Sequence, residues 1–304
     1  MICNTNNSIN QEVNLPFQGV ELFVKREDDI HPFVSGNKYR KLKYNIQEAL
    51  HKKYTTLLTF GGAYSNHIAA VASAGKMSGL NTIGIIRGDE LEKQIPNNAT
   101  LQFAQNQGMQ FKFVSRTDYR DKTSQAFIDN LVKEFGAFYL VPEGGTNPLA
   151  VKGCEEILNG DDSHFDYICS AVGTGGTISG IINSAFSHQK VLGFPALKGD
   201  FLKEDIIKFA TKSNWELISE YHFGGYAKIN EELITFINSF KSKTGIPLDP
   251  IYTGKMMFGI VDLIKTGYFP KGSKILAIHT GGLQGITGMN VALKRKKLPL
   301  IEID

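Results

Sequence analysis

The sequence predicts an α/β protein in which mostly parallel sheets are flanked by helices. Short runs rich in β-branched and aromatic residues alternate with longer segments of helical pattern, as in successive βαβ units. The 304 residues suit two lobes, and a hydrophobic fraction of 42% is enough for a sizeable core. The predicted strands are residues 21–25, 55–60, 81–87, 110–114, 137–141, 166–171, 191–197, 216–219 and 274–279.

Helical patterns fill most of the intervals between these strands, and glycine clusters follow four strands directly. In an open α/β sheet the ligand crevice lies outside the carboxyl ends of the strands. Glycine there lets the backbone approach a ligand, although a simple tight turn would use it too. The predicted helices include residues 66–77, 98–107, 124–135 and 231–243, and the clusters are Gly61-Gly62, Gly144-Gly145, residues 173–176 and Gly281-Gly282.

Charge and cysteine content exclude several classes of protein. A net charge of +3 gives no electrostatic footprint for nucleic acid or membrane, and the basic run at residues 294–297 is expected to be a solvated face. Residues 1–10 are polar and Asn-rich, so we do not expect a secretory signal, and the sequence contains no run of about 18 apolar residues. Cys3, Cys154 and Cys169 show no CxxC spacing, which argues against a disulfide framework or a zinc site. We expect a reduced, cytoplasmic protein without a metal.

A strand that runs into a Gly/Thr-rich turn and then a helix is the first candidate site. Backbone N–H groups at the start of a helix hold phosphate well. Ile178 occupies the place of the last glycine of GxGxxG, and no Walker motif occurs, so a single phosphate is predicted rather than a nucleotide. The residues concerned are Gly173, Thr174, Gly175, Gly176 and Thr177.

Two further candidates precede helices. Lys38 follows a Gly36-Asn37 turn, where the positive end of the helix dipole would lower the pKa of its amine and suit it to nucleophilic chemistry. By itself this pattern fits an exposed lysine of a basic helix better. Ser65 and Asn66 either cap the next helix or bind an anion at its positive end, and the sequence does not choose between the two.

Taken in order, five motifs resemble a single family. They are GNKxRKL, GGxxSNH, EGGTNP, VGTGGT and DPxYTGK, and the resemblance runs from about residue 22 to residue 285. The family contains 1-aminocyclopropane-1-carboxylate deaminase and D-cysteine desulfhydrase, which use pyridoxal 5'-phosphate (PLP) on the tryptophan synthase β-subunit-like fold (fold type II). The resemblance implies a large PLP-binding domain, residues 1–42 and 142–304, and a small inserted α/β domain, residues 43–141.

The same resemblance implies roles for individual residues. Lys38 would be the Schiff-base lysine, Asn66 would contact the phenolic oxygen of PLP, and Thr280 would contact its ring nitrogen. The phosphate would lie on residues 173–177. The residues expected to be catalytic are Lys38, Ser65, Tyr226 and Tyr252, and those expected to receive the substrate carboxylate are Ser65, Asn66 and His67.

One departure from the family pattern bears on the activity. Cyclopropane deaminases have a glutamate just after the second tyrosine, where this chain has Thr253. A carboxylate beside the ring nitrogen would make PLP a stronger electron sink, which opening a cyclopropane ring should need. We therefore expect β-elimination from a small amino acid, as in D-cysteine desulfhydrase, by a homodimer. The alternatives are a cyclopropane deaminase, a β-replacement synthase and a non-catalytic homologue that binds PLP or an amino acid.

Overall fold

The computed structural model describes residues 5–16, 19–199 and 201–302, so Cys3 lies outside the described residues. The strands are β1 (Asn10–Glu12), β2 (Glu21–Lys25), β3 (Thr56–Gly61), β4 (Asn81–Arg87), β5 (Met109–Val114), β6 (Tyr139–Val141), β7 (Tyr167–Val172), β8 (Lys190–Pro195), β9 (Trp215–Leu217) and β10 (Lys274–Ile278). The helices are α1 (Asn37–His51), α2 (Asn66–Met77), α3 (Ala99–Asn106), α4 (Gln125–Phe135), α5 (Pro148–Cys154), α6 (Gly176–Ser184), α7 (Phe201–Ile207), α8 (Glu231–Thr244), α9 (Thr253–Lys265) and α10 (Gly285–Arg295).

The strands form two sheets. The six-stranded sheet has the order β1-β2-β10-β7-β8-β9 and is parallel except for the pairing of β1 with β2. The four-stranded sheet has the order β5-β4-β3-β6 and is parallel throughout. All nine predicted strands are confirmed, with ends that differ by at most two residues. The prediction missed β1, a short polar edge strand whose Asn10 pairs with Lys25.

Burial explains why these strands could be recognised. The central strands β3, β4 and β7 are buried on both faces, which gives parallel strands their continuous apolar sequence. Several helices begin where a polar side chain caps them: Ser65 accepts hydrogen bonds from the first turn of α2, and Asn230 does so for α8. The four glycine clusters lie at the carboxyl ends of strands β3, β6, β7 and β10.

The predicted division into domains stays a prediction. All four strands of the smaller sheet fall within the predicted small domain, residues 43–141. Helix α1 nevertheless runs unbroken across the proposed boundary at residue 42. Cys154 and Cys169 are buried free thiols, and the basic run at residues 294–297 is exposed, as predicted. No helix in the described part of the chain is long and apolar enough to cross a membrane.

Helices α1 and α5 pack closely at Gly153, which gives a testable prediction. A Cβ on Gly153 would lie 1.9 Å from the carbonyl oxygen of Arg40 on α1, so Gly153→Ala must push the helices apart. We expect the free energy of unfolding to fall by roughly 1–3 kcal/mol. Gly160→Ala is the matched control, because a Cβ there meets nothing within 4 Å. Equal unfolding midpoints in denaturant for the two variants would contradict the close contact.

Candidate active site

A cavity of about 520 Å³ opens at the carboxyl ends of strands from both sheets. Its walls come from the start of α1, the turn between β3 and α2, the loop between β7 and α6, and the turn after β10. Glu143, Gly144 and Tyr252 line the cavity as well, so the structure brings together residues of all five motifs. Every predicted site residue except Gly176 lines the cavity, namely Lys38, Ser65, Asn66, His67, Gly173, Thr174, Gly175, Thr177, Tyr226, Tyr252 and Thr280.

Lys38 is the second residue of α1, and the backbone before it fixes its place beside Thr280. Gly36 has φ of 57°, and a Cβ on it would lie 2.1 Å from the carbonyl oxygen of Thr280. The next residue, Asn37, donates its backbone N–H to the same oxygen at 3.3 Å. Only glycine fits this close approach in a left-handed conformation. The turn after β10 and the start of α1 are thus held against each other.

The Lys38 amine is poised to be neutral. Burial lowers its pKa to about 7, and the positive charge of Lys41 adds to the effect. Among the described residues, none makes a hydrogen bond or ion pair with Lys38 Nζ. The sequence predicted the lowered pKa but attributed it to the helix dipole, whereas desolvation is the largest cause here. An unpaired amine with this pKa suits a nucleophile or a general base.

The loop between β7 and α6 is built to receive an anion. Gly175 adopts a left-handed conformation with φ of 78°, and α6 starts at Gly176, so the first N–H groups of the helix have no partners within it. Asn37 Nδ2 donates to Thr177 Oγ1 at 2.8 Å, and the hydroxyls of Thr174 and Thr146 are 2.7 Å apart. The loop is therefore tied to α1 and to the loop that follows β6.

Lys41 places a cation beside this loop. Its Nζ donates to the carbonyl oxygen of Gly144 at 2.9 Å, to Thr146 Oγ1 at 3.1 Å and to Thr174 Oγ1 at 3.3 Å. Burial lowers the pKa of the Lys41 amine. The partners found for the amine are neutral oxygens, so its charge is available to an anion in the cavity. The sequence prediction missed Lys41, although its spacing of three residues from Lys38 puts both side chains on one helix face.

The Ser65–His67 segment combines a helix cap with an unsatisfied amide. Ser65 Oγ accepts from the backbone N–H groups of His67 and Ile68, at 3.2 and 3.4 Å. Asn66 Oδ1 is buried and has no hydrogen-bond partner among the described residues, so a group bound in the cavity would satisfy it. The His67 ring is buried against Thr59, and burial lowers its pKa well below the ordinary value. A neutral His67 does not attract a carboxylate by charge, and its predicted role stays a prediction.

Two tyrosines from the larger sheet's side face the cavity. The rings of Tyr226 and Tyr252 meet edge to face, with centroids 6.3 Å apart. Burial raises the pKa of both phenols, so they are neutral and can donate a proton. Lys255, whose pKa burial lowers to about 8, donates to the carbonyl oxygens of His222 at 2.9 Å and Gly225 at 2.7 Å. This buried amine secures the loop that presents Tyr226.

These features fit PLP, which combines an aldehyde with a phosphate. Lys38 supplies an unpaired amine for the aldehyde, and the start of α6 with Lys41 supplies donors for the phosphate. A family model described as "Pyridoxal-phosphate dependent enzyme" matches residues 12–281. The chain belongs to the pyridoxal-phosphate dependent enzymes. The predicted fold, family and cofactor are confirmed.

Relatives of this pyridoxal-phosphate dependent enzyme carry two activities in their names. A putative 1-aminocyclopropane-1-carboxylate deaminase of Pyrococcus horikoshii is 31% identical over 286 residues, 88% of this chain and 86% of that protein. The mitochondrial bifunctional D-cysteine desulfhydrase/1-aminocyclopropane-1-carboxylate deaminase of Arabidopsis thaliana is 34% identical over 302 residues, 90% of this chain and 75% of that protein. A crystal structure of an ACC deaminase homologue has a TM-score of 0.81 and 28% identity, covering 95% of this chain and 93% of that one.

In this pyridoxal-phosphate dependent enzyme, Thr253 lies behind the cavity wall. It is fully buried, its hydroxyl donates to Asp249 Oδ1 at 2.8 Å, and it is not among the residues that line the cavity. Asp249 also accepts from the backbone N–H groups of residues 251–253 and so caps the start of α9. Thr253 therefore contacts Asp249 rather than the cavity, whereas Thr280 lines the cavity itself. The sequence prediction did not single out Asp249.

Proposed function

We propose that this pyridoxal-phosphate dependent enzyme catalyses β-elimination from D-cysteine, giving pyruvate, sulfide and ammonia. The observation that carries the proposal is that the cavity wall at Thr280, the residue expected to contact the ring nitrogen of PLP, presents a hydroxyl group and not a carboxylate. Glu143 is the only carboxylate among the described lining residues, and it pairs with Lys122 at 3.3 Å. A hydroxyl supports a protonated ring nitrogen less well than a carboxylate does, which disfavours cleavage of a carbon–carbon bond. A thiol leaving from Cβ has no such requirement.

The residues around the cavity divide the work of this reaction. When bound, PLP withdraws electrons from Cα of the substrate and eases loss of its proton. Lys38 holds the cofactor and, as a neutral amine, accepts the Cα proton. Ser65 and Asn66 orient the substrate carboxylate at the start of α2, where the helix dipole favours an anion. Tyr252 or Tyr226 donates a proton to the departing sulfur, since both phenols are neutral.

Ring-opening deamination of 1-aminocyclopropane-1-carboxylate is the second candidate, favoured by the names of several relatives. The discriminating experiment supplies the PLP-loaded protein separately with D-cysteine, L-cysteine and the cyclopropane substrate. Sulfide and pyruvate in equal amounts from D-cysteine support our proposal. A 2-oxo acid of four carbons from the cyclopropane substrate, without sulfide from either cysteine, contradicts it. Turnover of L-cysteine alone would reject the proposed stereochemistry and leave β-elimination standing.

The lowered pKa of Lys38 predicts how its reactivity depends on pH. An amine with a pKa of about 7 is neutral above that pH, so its nucleophilicity should rise through pH 7 and then level off. Ordinary lysines, with pKa values of about 10.4, keep rising to much higher pH. Trace labelling of the cofactor-free protein with acetic anhydride, read by mass spectrometry, measures both curves. A Lys38 curve that coincides with those of the exposed lysines would contradict the desolvated amine.

The division into two domains and the homodimer also remain proposals. The division into residues 1–42 with 142–304 and an inserted segment 43–141 is testable by expressing the segment alone and measuring its cooperative unfolding. A homodimer is testable by sedimentation, since the chain has a mass of 33.6 kDa. A species of one chain mass at working concentration would exclude the dimer.

A further inference from the structure

Arg87 is a cavity-lining cation that the proposed reaction does not use. It is the last residue of β4, exposed at the carboxyl end of the smaller sheet and part of the cavity wall. Its guanidinium carbon lies 5.8 Å from the ring centroid of Tyr119. Tyr119 is itself 3% exposed and packs edge to face on Phe60, with centroids 6.1 Å apart. The guanidinium thus lies within cation–π range of a buried ring, a contact that favours this position of Arg87 modestly because the side chain is exposed.

The other lysine, arginine and glutamate side chains of the wall are either paired or, like Lys38, already assigned to the proposed reaction. Arg116 forms an ion pair with Glu90, and Glu143 forms one with Lys122. Lys41 faces the loop that would take the cofactor's phosphate. By contrast, no carboxylate within the described ranges forms an ion pair with Arg87. Arg87 is therefore a cation in the cavity wall that has no ion-pair partner in the described part of the chain.

The position of Arg87 in the cavity allows it to contact the side chain of a bound substrate. Arg87 and Tyr226 line the same cavity. The positive charge of Arg87 opposes the rise that burial causes in the pKa of the Tyr226 phenol, whereas the negative charge of Glu143 adds to it. Under the proposed function Tyr226 faces the group leaving from Cβ, while Ser65 and Asn66 engage the α-carboxylate. A cation in the wall of the same cavity then has access to whatever is attached to Cβ.

We propose that Arg87 binds an anionic group in the substrate's side chain, so that the enzyme prefers cysteine thioethers whose sulfur substituent carries a carboxylate. This inference rests on the proposed β-elimination. In the reaction the Cα proton passes to Lys38, and the Cβ–S bond breaks with its electron pair moving to sulfur. The sulfur takes a proton from Tyr226 or Tyr252 and leaves as a thiol that bears the carboxylate. Water then replaces nitrogen on the remaining three-carbon fragment, giving pyruvate and ammonia.

Two probes of almost equal size isolate the charge. S-carboxymethyl-D-cysteine carries the additional carboxylate, and S-carbamoylmethyl-D-cysteine replaces it with a neutral amide. Binding of both to the PLP-supplied Lys38→Ala protein is measured by calorimetry, so that no turnover is needed. We expect the carboxylate probe to bind at least about tenfold more tightly, the effect of a charge-assisted hydrogen bond. Arg87→Met should reduce the ratio to about one, and Arg87→Lys should retain part of it.

Arg116→Met is the matched control, because Arg116 lines the same cavity but is paired with Glu90. The ratio of the two affinities should be unchanged in this variant. Equal affinities for the probes with Arg87 intact, or the same loss of preference in both arginine variants, would overturn the assignment. The kcat/KM ratio of the two probes in the otherwise unchanged enzyme reports on the proposed reaction separately. Preferential binding without thiol release would therefore reject β-elimination and keep the Arg87 site.

Discussion

Lys38→Ala is expected to lower kcat/KM for D-cysteine by a factor of about 10²–10⁴ or more, since the variant loses the group proposed to accept the Cα proton. The structure motivates the size of the effect, because the Lys38 amine is the cavity group whose pKa burial brings to about 7. The measurement is pyruvate formation under pseudo-first-order conditions, together with the absorbance spectrum of the PLP-supplied protein. The yellow band of a lysine-bound cofactor should be lost in the variant.

Lys43→Ala is the matched control for this experiment. Lys43 lies on the same helix, but it pairs with Glu156 and does not line the cavity. Its removal should leave the spectrum and kcat/KM within about a factor of two, because partly exposed ion pairs contribute little. Retention of both the yellow band and turnover in Lys38→Ala would remove Lys38 from its proposed role.

Lys41→Met is expected to weaken PLP binding by about 10- to 100-fold, the effect of losing a charge-assisted hydrogen bond to an anion. Methionine has a similar length and no charge, so it also removes the cost of keeping a buried ammonium without an anion. The cofactor-free variant should therefore unfold at the same temperature as the parent or higher. The rise in unfolding temperature on adding PLP should be smaller. Fluorescence titration with PLP and thermal unfolding together measure both effects.

Comparing the cofactor-free protein with the PLP-bound protein makes this prediction specific. A purely structural lysine would destabilise the cofactor-free protein on removal, whereas an anion-binding lysine lowers only the gain from the cofactor. Lys43→Met removes a lysine of the same helix that is paired with Glu156 outside the cavity, and it should change neither quantity by more than the error of measurement. An unchanged dissociation constant for PLP in Lys41→Met would show that the loop before α6 holds the phosphate without it.

The fold was largely predictable because its central strands are buried on both faces and carry continuous apolar runs. Strand β4 was predicted to the residue for this reason, and Ser65 marked the start of α2 because its side chain is a standard N-cap. Strand β1 gave no such signal, because it is three residues long and polar. It is a strand only because it pairs with β2. Its existence follows from tertiary contacts rather than from its own sequence.

Site residues were predictable only where they belong to a motif of the family that the sequence resembles. Resemblance placed Lys38 and Thr280 in one cavity, but it gave no indication that Lys41 bonds to Thr174, 133 residues away in the chain. The capping carboxylate of Asp249 was hidden for a related reason, since its partners are backbone groups whose positions only the folded chain defines. The cause of the lowered Lys38 pKa was also misjudged, because a sequence shows the helix start but not the burial around it.

Helix α1 carries both the amine proposed to hold the aldehyde of PLP and the ammonium beside the phosphate loop. Lys38 and Lys41 are separated by an axial rise of about 4.5 Å, and each residue added between them would rotate the rest of the helix by about 100°. An insertion or deletion in this interval would turn Lys41 away from Thr174 while leaving the composition of the helix almost unchanged. Point substitutions elsewhere in α1 leave this spacing intact. The number of residues between Lys38 and Lys41 is therefore more constrained than the identity of those residues. Among active variants of this chain, insertions and deletions in this interval should be rarer than substitutions.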